Sequence, residues 1–239
     1  MKKNVALLEH PLIRQHIPKT VWYNYPNLLK MLAYNKGIYI KPDTGRQGNG
    51  VMRVRKTEGL YCVVSEYNFS EKMFLYDLPS KLTAIMDKRK YIIQEEIDLA
   101  THKGCPFDIR MVMQRPFATW ELTLTSAKVA LNKDAVVTNV SKGAQDYPLI
   151  DILKQYDQMQ DPMAILRELV NVAHQISNIF GNKFHLRTIG LDMAIDKKGK
   201  IWFIEANTQP QNARCKLVND AISQQKFDNA KQIIKRKNR

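Results

Sequence analysis

The chain has 239 residues, 44% hydrophobic and 25% charged, with ten glycines, ten prolines and three cysteines. That length suits one large domain or two smaller lobes, and the composition excludes wholesale disorder, a collagen-like repeat and a disulfide-stapled miniprotein. A formal net charge of +14 attracts polyanions without choosing among them.

No apolar run approaches the ~18–20 residues of a membrane helix. Lys2 and Lys3 before Val5–Leu8 open like a signal peptide, but Glu9 and His10 cut the apolar stretch short. A cytoplasmic protein is the expectation. Cys62, Cys105 and Cys215 are widely spaced and include no CxxC pair, so they read as reduced, mostly buried thiols and not as a zinc site.

In chain order, Asn24–Asn35 reads as a helix with Asn24 as cap and Pro26 in its first turn. Ile38–Ile40 is a short strand, Lys41–Gly50 a glycine-rich loop, and Val51–Arg55 and Leu60–Tyr67 strands joined by a turn at Glu58-Gly59. Leu78–Asp87 is a short helix, and Tyr91–Ile93 a strand running into Gln94-Glu95-Glu96-Ile97. Strands are expected at Asp108–Gln114, Trp120–Leu131 and Val136–Val140. A longer helix follows, capped by Asp161, with apolar residues from Met163 to Phe180 at intervals of three and four and a stop at Gly181-Asn182. A hairpin, Gly190–Asp196 with Lys200–Asn207, comes next. The last nine residues hold five basic groups and no acid, and read as a solvated helical tail. Strands outnumber helices, and the helices are dispersed among them. The expected class is therefore α+β, not a doubly wound sheet.

Three elements carry chemistry. Lys41-Pro-Asp-Thr-Gly-Arg-Gln-Gly-Asn-Gly50 has three glycines in six positions, which lets backbone N–H groups approach a phosphate closely. It lacks the Gly-Lys-Ser/Thr ending of a Walker A loop, and a strand, not a helix, follows it. A strand–loop–strand flap over nucleotide phosphates fits the residues, and a long glycine-bearing hairpin without a ligand fits them equally. In the final hairpin, a turn centred on Lys198-Gly199 sets Asp192 opposite Glu205, with Asn207 on the same face. Two carboxylates and an amide oxygen converging in a half-buried sheet call for a cation, and hard oxygen donors suit Mg²⁺. Third, Tyr91–Ile97 is an apolar strand with a polar end, able to offer backbone groups to an adenine edge and a carboxylate to ribose hydroxyls.

Taken in this order, the segments "YIKPDTGRQGNGV", "YIIQEEI", "PFDIRMVMQ", "VTNVSKGA", "IGLDMAID" and "WFIEANTQP" resemble the ATP-grasp superfamily. Within it, they are most similar to the YheC/YheD-like group associated with the spore coat of spore-forming bacteria. The resemblance implies two α+β lobes gripping ATP. A smaller flap lobe spans about 38–95 and a larger metal-binding lobe about 96–215, within a domain covering 17–215. Residues 1–16 are then an N-terminal extension in place of the usual preceding domain, which a partner chain could replace, and 216–239 a basic C-terminal helix or tail.

The resemblance also assigns roles. Lys41 contacts the phosphates, and Gly45, Gln47, Gly48 and Gly50 form the flap. Gln94, Glu95, Glu96 and Ile97 line the adenine and ribose at the hinge. Asp192, Glu205 and Asn207 hold one or two Mg²⁺ ions, with Mn²⁺ as a substitute. Arg110, with Lys128 and Asn139, stabilises the charge of an acyl-phosphate and its successor. Asp108 either orients Arg110 or forms a surface salt bridge. The implied reaction is ATP-dependent ligation of a carboxylate to an amine or related nucleophile, releasing ADP and phosphate. A peptide or protein is among the acceptors it allows. A kinase acting on a hydroxyl, and a non-enzymatic coat or polyanion-binding protein on the same scaffold, are the alternatives. Nucleic acid ranks low, since no base-reading motif or stacking platform is evident. Acceptor selectivity is expected to reside in 142–160 and 211–218.

Overall fold

The computed structural model describes residues 2–45, 48–65, 70–138, 143–158 and 160–237. Two antiparallel sheets dominate it, each with one apolar face against a helix-covered core.

The smaller sheet has six strands in the order β1-β6-β2-β3-β4-β5. These are β1 (Thr20–Trp22), β2 (Gly37–Pro42), β3 (Met52–Thr57), β4 (Leu60–Ser65), β5 (Ser70–Met73) and β6 (Tyr91–Glu95). Period-two alternation sends Ile38, Ile40, Met52, Val54 and Ile93 into a core closed by Leu28 and Met31 of α3 (Tyr25–Tyr34) and Leu78 and Leu82 of α4 (Leu78–Ile85). Asn24 caps α3 as expected, accepting from the Asn27 amide at 2.8 Å. Glu58 and Gly59 both have positive φ in the β3–β4 turn, as a tight hairpin requires. The expected extension of β4 to Tyr67 falls on residues outside those described.

The larger sheet runs β10-β9-β8-β11-β12, with β7 paired to β8. Its strands are β7 (Thr101–His102), β8 (Cys105–Gln114), β9 (Glu121–Val129), β10 (Gln145–Tyr147), β11 (Thr188–Ile195) and β12 (Ile201–Asn207). Phe107, Ile109, Met111 and Met113 alternate into a core shared with Leu191, Met193 and Phe203. Covering it are α6 (Pro162–Phe184), α5 (Leu149–Gln155) and the N-terminal helices α1 (Lys2–Leu8) and α2 (Pro11–Arg14), whose Ala6, Leu7 and Ile13 are buried there.

Several local expectations are corrected. Residues 136–138 are not a strand. They are irregular, so apolar Val136 and Val137 do not mark a sheet, and 139–140 lie outside the described residues. Helix α6 runs through Gly181 to Phe184 and ends on His185 in the left-handed region. Gly181 is there for space: a Cβ would lie 2.6 Å from Cζ2 of Trp120. The C-terminal segment is not a purely solvated tail. After α7 (Ala213–Leu217), α8 (Ala221–Lys237) buries Phe227, Ala230 and Ile234, and Phe227 joins Val112, Leu124 and Cys215 in a third cluster. Of the three free cysteines only Cys215 is buried; Cys62 and Cys105 are half-buried.

Candidate active site

The polar faces of both sheets point into one cleft. On the smaller sheet the alternation that buries Ile38 and Ile40 presents Tyr39 and Lys41, and the one that buries Met52 and Val54 presents Arg53 and Arg55. On the larger sheet it presents Asp108 and Arg110 from β8, and Ser126 and Lys128 from β9, while Val112 and Leu124 further along the same face are covered by Phe227 and Cys215. The register places Asp108 opposite Lys128, Arg110 opposite Ser126 and Asp192, and Asp192 opposite Glu205.

That last pairing depends on a bulge. Near the turn Ile195 pairs with Ile201 and Met193 with Phe203, one residue away from the expected register. The irregularity between Asp192 and Met193 then restores it, so that Asp192 faces Glu205 and Gly190 faces Asn207. Bulges re-aim side chains beside functional sites, and here one sets Asp192 directly opposite Glu205 in the register.

Four charges interlock on this face. Arg110 grips Asp192 through two hydrogen bonds, Nε to Oδ1 at 2.7 Å and Nη2 to Oδ2 at 3.1 Å. Lys128 Nζ lies 2.8 Å from Asp108 and 3.4 Å from Asp192. Asn207 donates to Asp192 at 3.3 Å. Burial opposes ionisation of Asp192, but Lys128 and Arg110 outweigh it and hold the carboxyl below the usual carboxylate range. For Asp108 burial wins over Lys128 and, with the nearby Asp192 charge, pushes the carboxyl upward. Burial also works against the Lys128 ammonium, yet Asp108 and Asp192 raise it above the ordinary lysine value. Asp108 is thus no surface ion: it pairs with Lys128 inside the cleft and adds its charge to the field at Arg110.

Across the cleft, Lys41 donates to Gln94 Oε1 at 2.8 Å, and Gln94 in turn donates to Thr20 Oγ1 at 2.9 Å. Burial pushes the Lys41 ammonium down, and the Glu205 carboxylate of the opposite lobe pulls it partly back. A half-buried lysine thus stands at the foot of a glycine loop. Gly48 and Gly50 have φ of +74° and +84°, a conformation glycine adopts freely, and the Arg89 side chain reaches the Thr44 carbonyl at 3.4 Å beside them. At the hinge, Glu95 Oε1 accepts from the Lys19 amide at 2.7 Å, while Glu96 pairs with Arg55 at 2.6 Å. Ile97 follows β6 and is half-buried.

The structure therefore brings Arg110, Lys128, Asp192, Glu205 and Asn207 onto one surface, with Lys41 in the field of Glu205. It occupies Glu95 and Glu96 with backbone and arginine partners. Gln47 and Asn139 lie outside the described residues. Sequence reasoning missed Ser126, whose hydroxyl donates to Asp146 at 2.9 Å, and Thr138, which donates to Asp108. The strand alternation that flags Lys128 also flags Ser126; nothing local flags Thr138.

Asp192, Glu205 and Asn207 offer hard oxygen donors of the kind that suit Mg²⁺, and here both Asp192 oxygens accept from Arg110, Lys128 and the Asn207 amide nitrogen. Among the described residues no group of three or more His, Cys, Asp or Glu comes together.

Two α+β lobes closing on a shared polar cleft, with a glycine loop over one side, define the ATP-grasp fold. The sequence profile of the family described as "YheC/D like ATP-grasp" matches residues 2–234, and the chain belongs to that family. The chain is similar to the "Endospore coat-associated protein YheD" of Bacillus subtilis (strain 168), 26% identical over 187 residues, 74% of this chain and 40% of that protein. It is also similar to "Endospore coat-associated protein YheC" of the same organism, 22% identical over 211 residues, 85% of this chain and 57% of that protein. The chain thus spans about half the length of these curated relatives. Among solved structures, the D-cycloserine synthetase DcsG superposes with a TM-score of 0.62 at 11% identity, covering 97% of this chain and 69% of that one. The ATP-grasp ligase PsnB, complexed with a minimal precursor, superposes with a TM-score of 0.54 at 14% identity, covering 97% and 59%. No described helix is long and apolar enough to cross a membrane.

Proposed function

We propose that this chain is an ATP- and Mg²⁺-dependent carboxylate–amine (or related nucleophile) ligase that works through an acyl-phosphate and releases ADP and phosphate. One observation carries the reading. A single cleft surface holds Arg110 and Lys128 beside Asp192, Glu205 and Asn207, with the half-buried Lys41 within the field of Glu205 from the other lobe. Transfer of a phosphoryl group to a carboxylate gathers negative charge, and preorganised cations in a water-poor site are the means of stabilising it.

In this reading Lys41 and the backbone of the 45–50 loop bind the phosphates, and Gln94 steadies Lys41. Asp192, Glu205 and Asn207 would hold the Mg²⁺, which would neutralise phosphate charge. Arg110 and Lys128 orient the acceptor carboxylate and hold the developing oxyanion. Asp108 keeps Lys128 in place. Positioning and electrostatics supply the acceleration, and no protein nucleophile takes part. The cytoplasm, or the forming spore, is the proposed location, and an acidic peptide or a small acid both satisfy the chemistry of the acceptor.

The test is ADP release from Mg·ATP in the presence of hydroxylamine and a panel of carboxylic acids. A hydroxamate formed in step with ADP supports the ligase. ADP with a phosphorylated hydroxyl compound and no hydroxamate identifies a kinase instead.

A further inference from the structure

Residues 134–138, after β9, touch the smaller lobe at two places and the β8 strand of the larger lobe at a third. Arg53 of β3 is buried, 7% exposed, and forms no salt bridge among the described residues. Its guanidinium crosses the cleft and donates to the consecutive carbonyls of Asp134 and Ala135, at 3.2 and 3.3 Å. Two residues on, Val137 fills the space beside the flap glycine: a Cβ on Gly48 would lie 3.1 Å from Val137 Cγ1. One residue further, the Thr138 hydroxyl donates to Asp108, the carboxylate that holds Lys128 at 2.8 Å.

A buried guanidinium is costly unless its donors are satisfied, so the position of Asp134 and Ala135 is strongly specified from the smaller lobe. Thr138, three residues later, is specified from the larger one. We infer that residues 134–138 act as a strap in which Arg53 and Thr138 are positioning residues for Lys128, tying the flap lobe to the cation that faces the acceptor. The strap gives this family member a mechanical route from the glycine loop to Lys128 that bypasses the hinge at Glu95–Ile97. Its catalytic meaning rests on the ligase reading; the physical link does not.

The link is tested in the free protein. With lysine side chains labelled by ¹⁵N, the Lys128 ammonium is assigned as the proton–nitrogen correlation lost in Lys128→Met. Burial and ion pairing slow its proton exchange, so wild type is expected to show a protected signal. Thr138→Ser, which keeps the hydroxyl, retains it. Thr138→Val, of equal shape, and Arg53→Met, on the other lobe, each accelerate exchange by roughly tenfold or more while melting within about 5 °C of wild type. If Arg53→Met unfolds, Arg53→Lys, which keeps the charge but cannot reach both carbonyls, gives the same acceleration. An Arg53 variant that leaves the Lys128 signal at its wild-type position and exchange rate overturns the inference, as does a wild type with no protected Lys128 signal. Addition of Mg·ATP afterwards separates the two claims: absence of any nucleotide response refutes the ligase reading and leaves the result for the strap intact.

Discussion

Arg110→Met probes the charge cluster most directly, because it removes one cation and leaves two buried carboxylates sharing Lys128. The side chains of Arg110 and Asp192 are only 16% and 12% exposed, so solvent does little to screen the loss. Removing one partner of a buried pair costs about 3–5 kcal/mol. Lys128, 3.4 Å from the same carboxylate, offsets part of this, and about 2–4 kcal/mol is expected at pH 7. In urea that corresponds to a midpoint shift on the order of 1 M. The pH dependence has a definite sign. In wild type the depressed Asp192 carboxyl contributes stability that is present above the unfolded value near ~4 and is lost as pH falls through the folded one. In Arg110→Met one of the two carboxyls retains its proton to higher pH, so the penalty for ionising it fades as pH falls. The deficit should thus be largest at pH 7–8 and shrink towards pH 5. Arg110→Lys should recover much of it, and Arg110→Met with Asp192→Asn should be more stable than Arg110→Met alone. A deficit below about 1 kcal/mol at pH 7, or one of equal size at pH 5 and pH 8, would refute the reasoning.

Two further outcomes follow from packing and burial. Gly181→Ala gains helix propensity of up to about 1 kcal/mol but drives a methyl into the Trp120 ring, so a net loss of roughly 1–2 kcal/mol is expected; urea unfolding checks it, and a stabilised variant contradicts the close contact. The Cys215 thiol is pushed up to about 11 by burial, so at pH 8 it should react with an aromatic disulfide reagent on the order of a hundredfold more slowly than a free thiol. Mass spectrometry of the labelled peptide reads this, and labelling at the rate of a small-molecule thiol contradicts it.

Legibility of the sequence varied with the range of the cause. Local signals held: Asn24 and Asp161 cap their helices, accepting from the backbone amides of Asn27 and Met163. The Glu58-Gly59 turn and the strand–loop–strand around Lys41 are present. The pairing of Asp192 with Glu205 was legible although the turn was misjudged by one residue, because the bulge beside Met193 compensates. What failed depended on distant partners. Gly181 reads as a helix stop until Trp120 is seen against it. Lys231–Arg239 reads as solvated until Ile234 is found on the inner face of α8, in line with Phe227 and Ala230 before it. Asp108 is 20 residues from Lys128, and Arg53 more than 80 from its carbonyl partners; no spacing rule joins such residues without the sheet register.

The central claim is a Mg·ATP site built by Lys41 on one lobe and Asp192, Glu205 and Asn207 on the other. The most direct test is the melting temperature of wild type and Glu205→Gln with and without millimolar Mg·ATP. A ligand that binds only the folded state stabilises it by roughly 2.7 kcal/mol at a hundredfold excess over its dissociation constant. For a chain of this size that is about 5–10 °C. The account predicts such a rise in wild type, dependent on Mg²⁺ and largely lost in Glu205→Gln. An unchanged melting temperature in wild type, or an equal rise in both proteins, would contradict it.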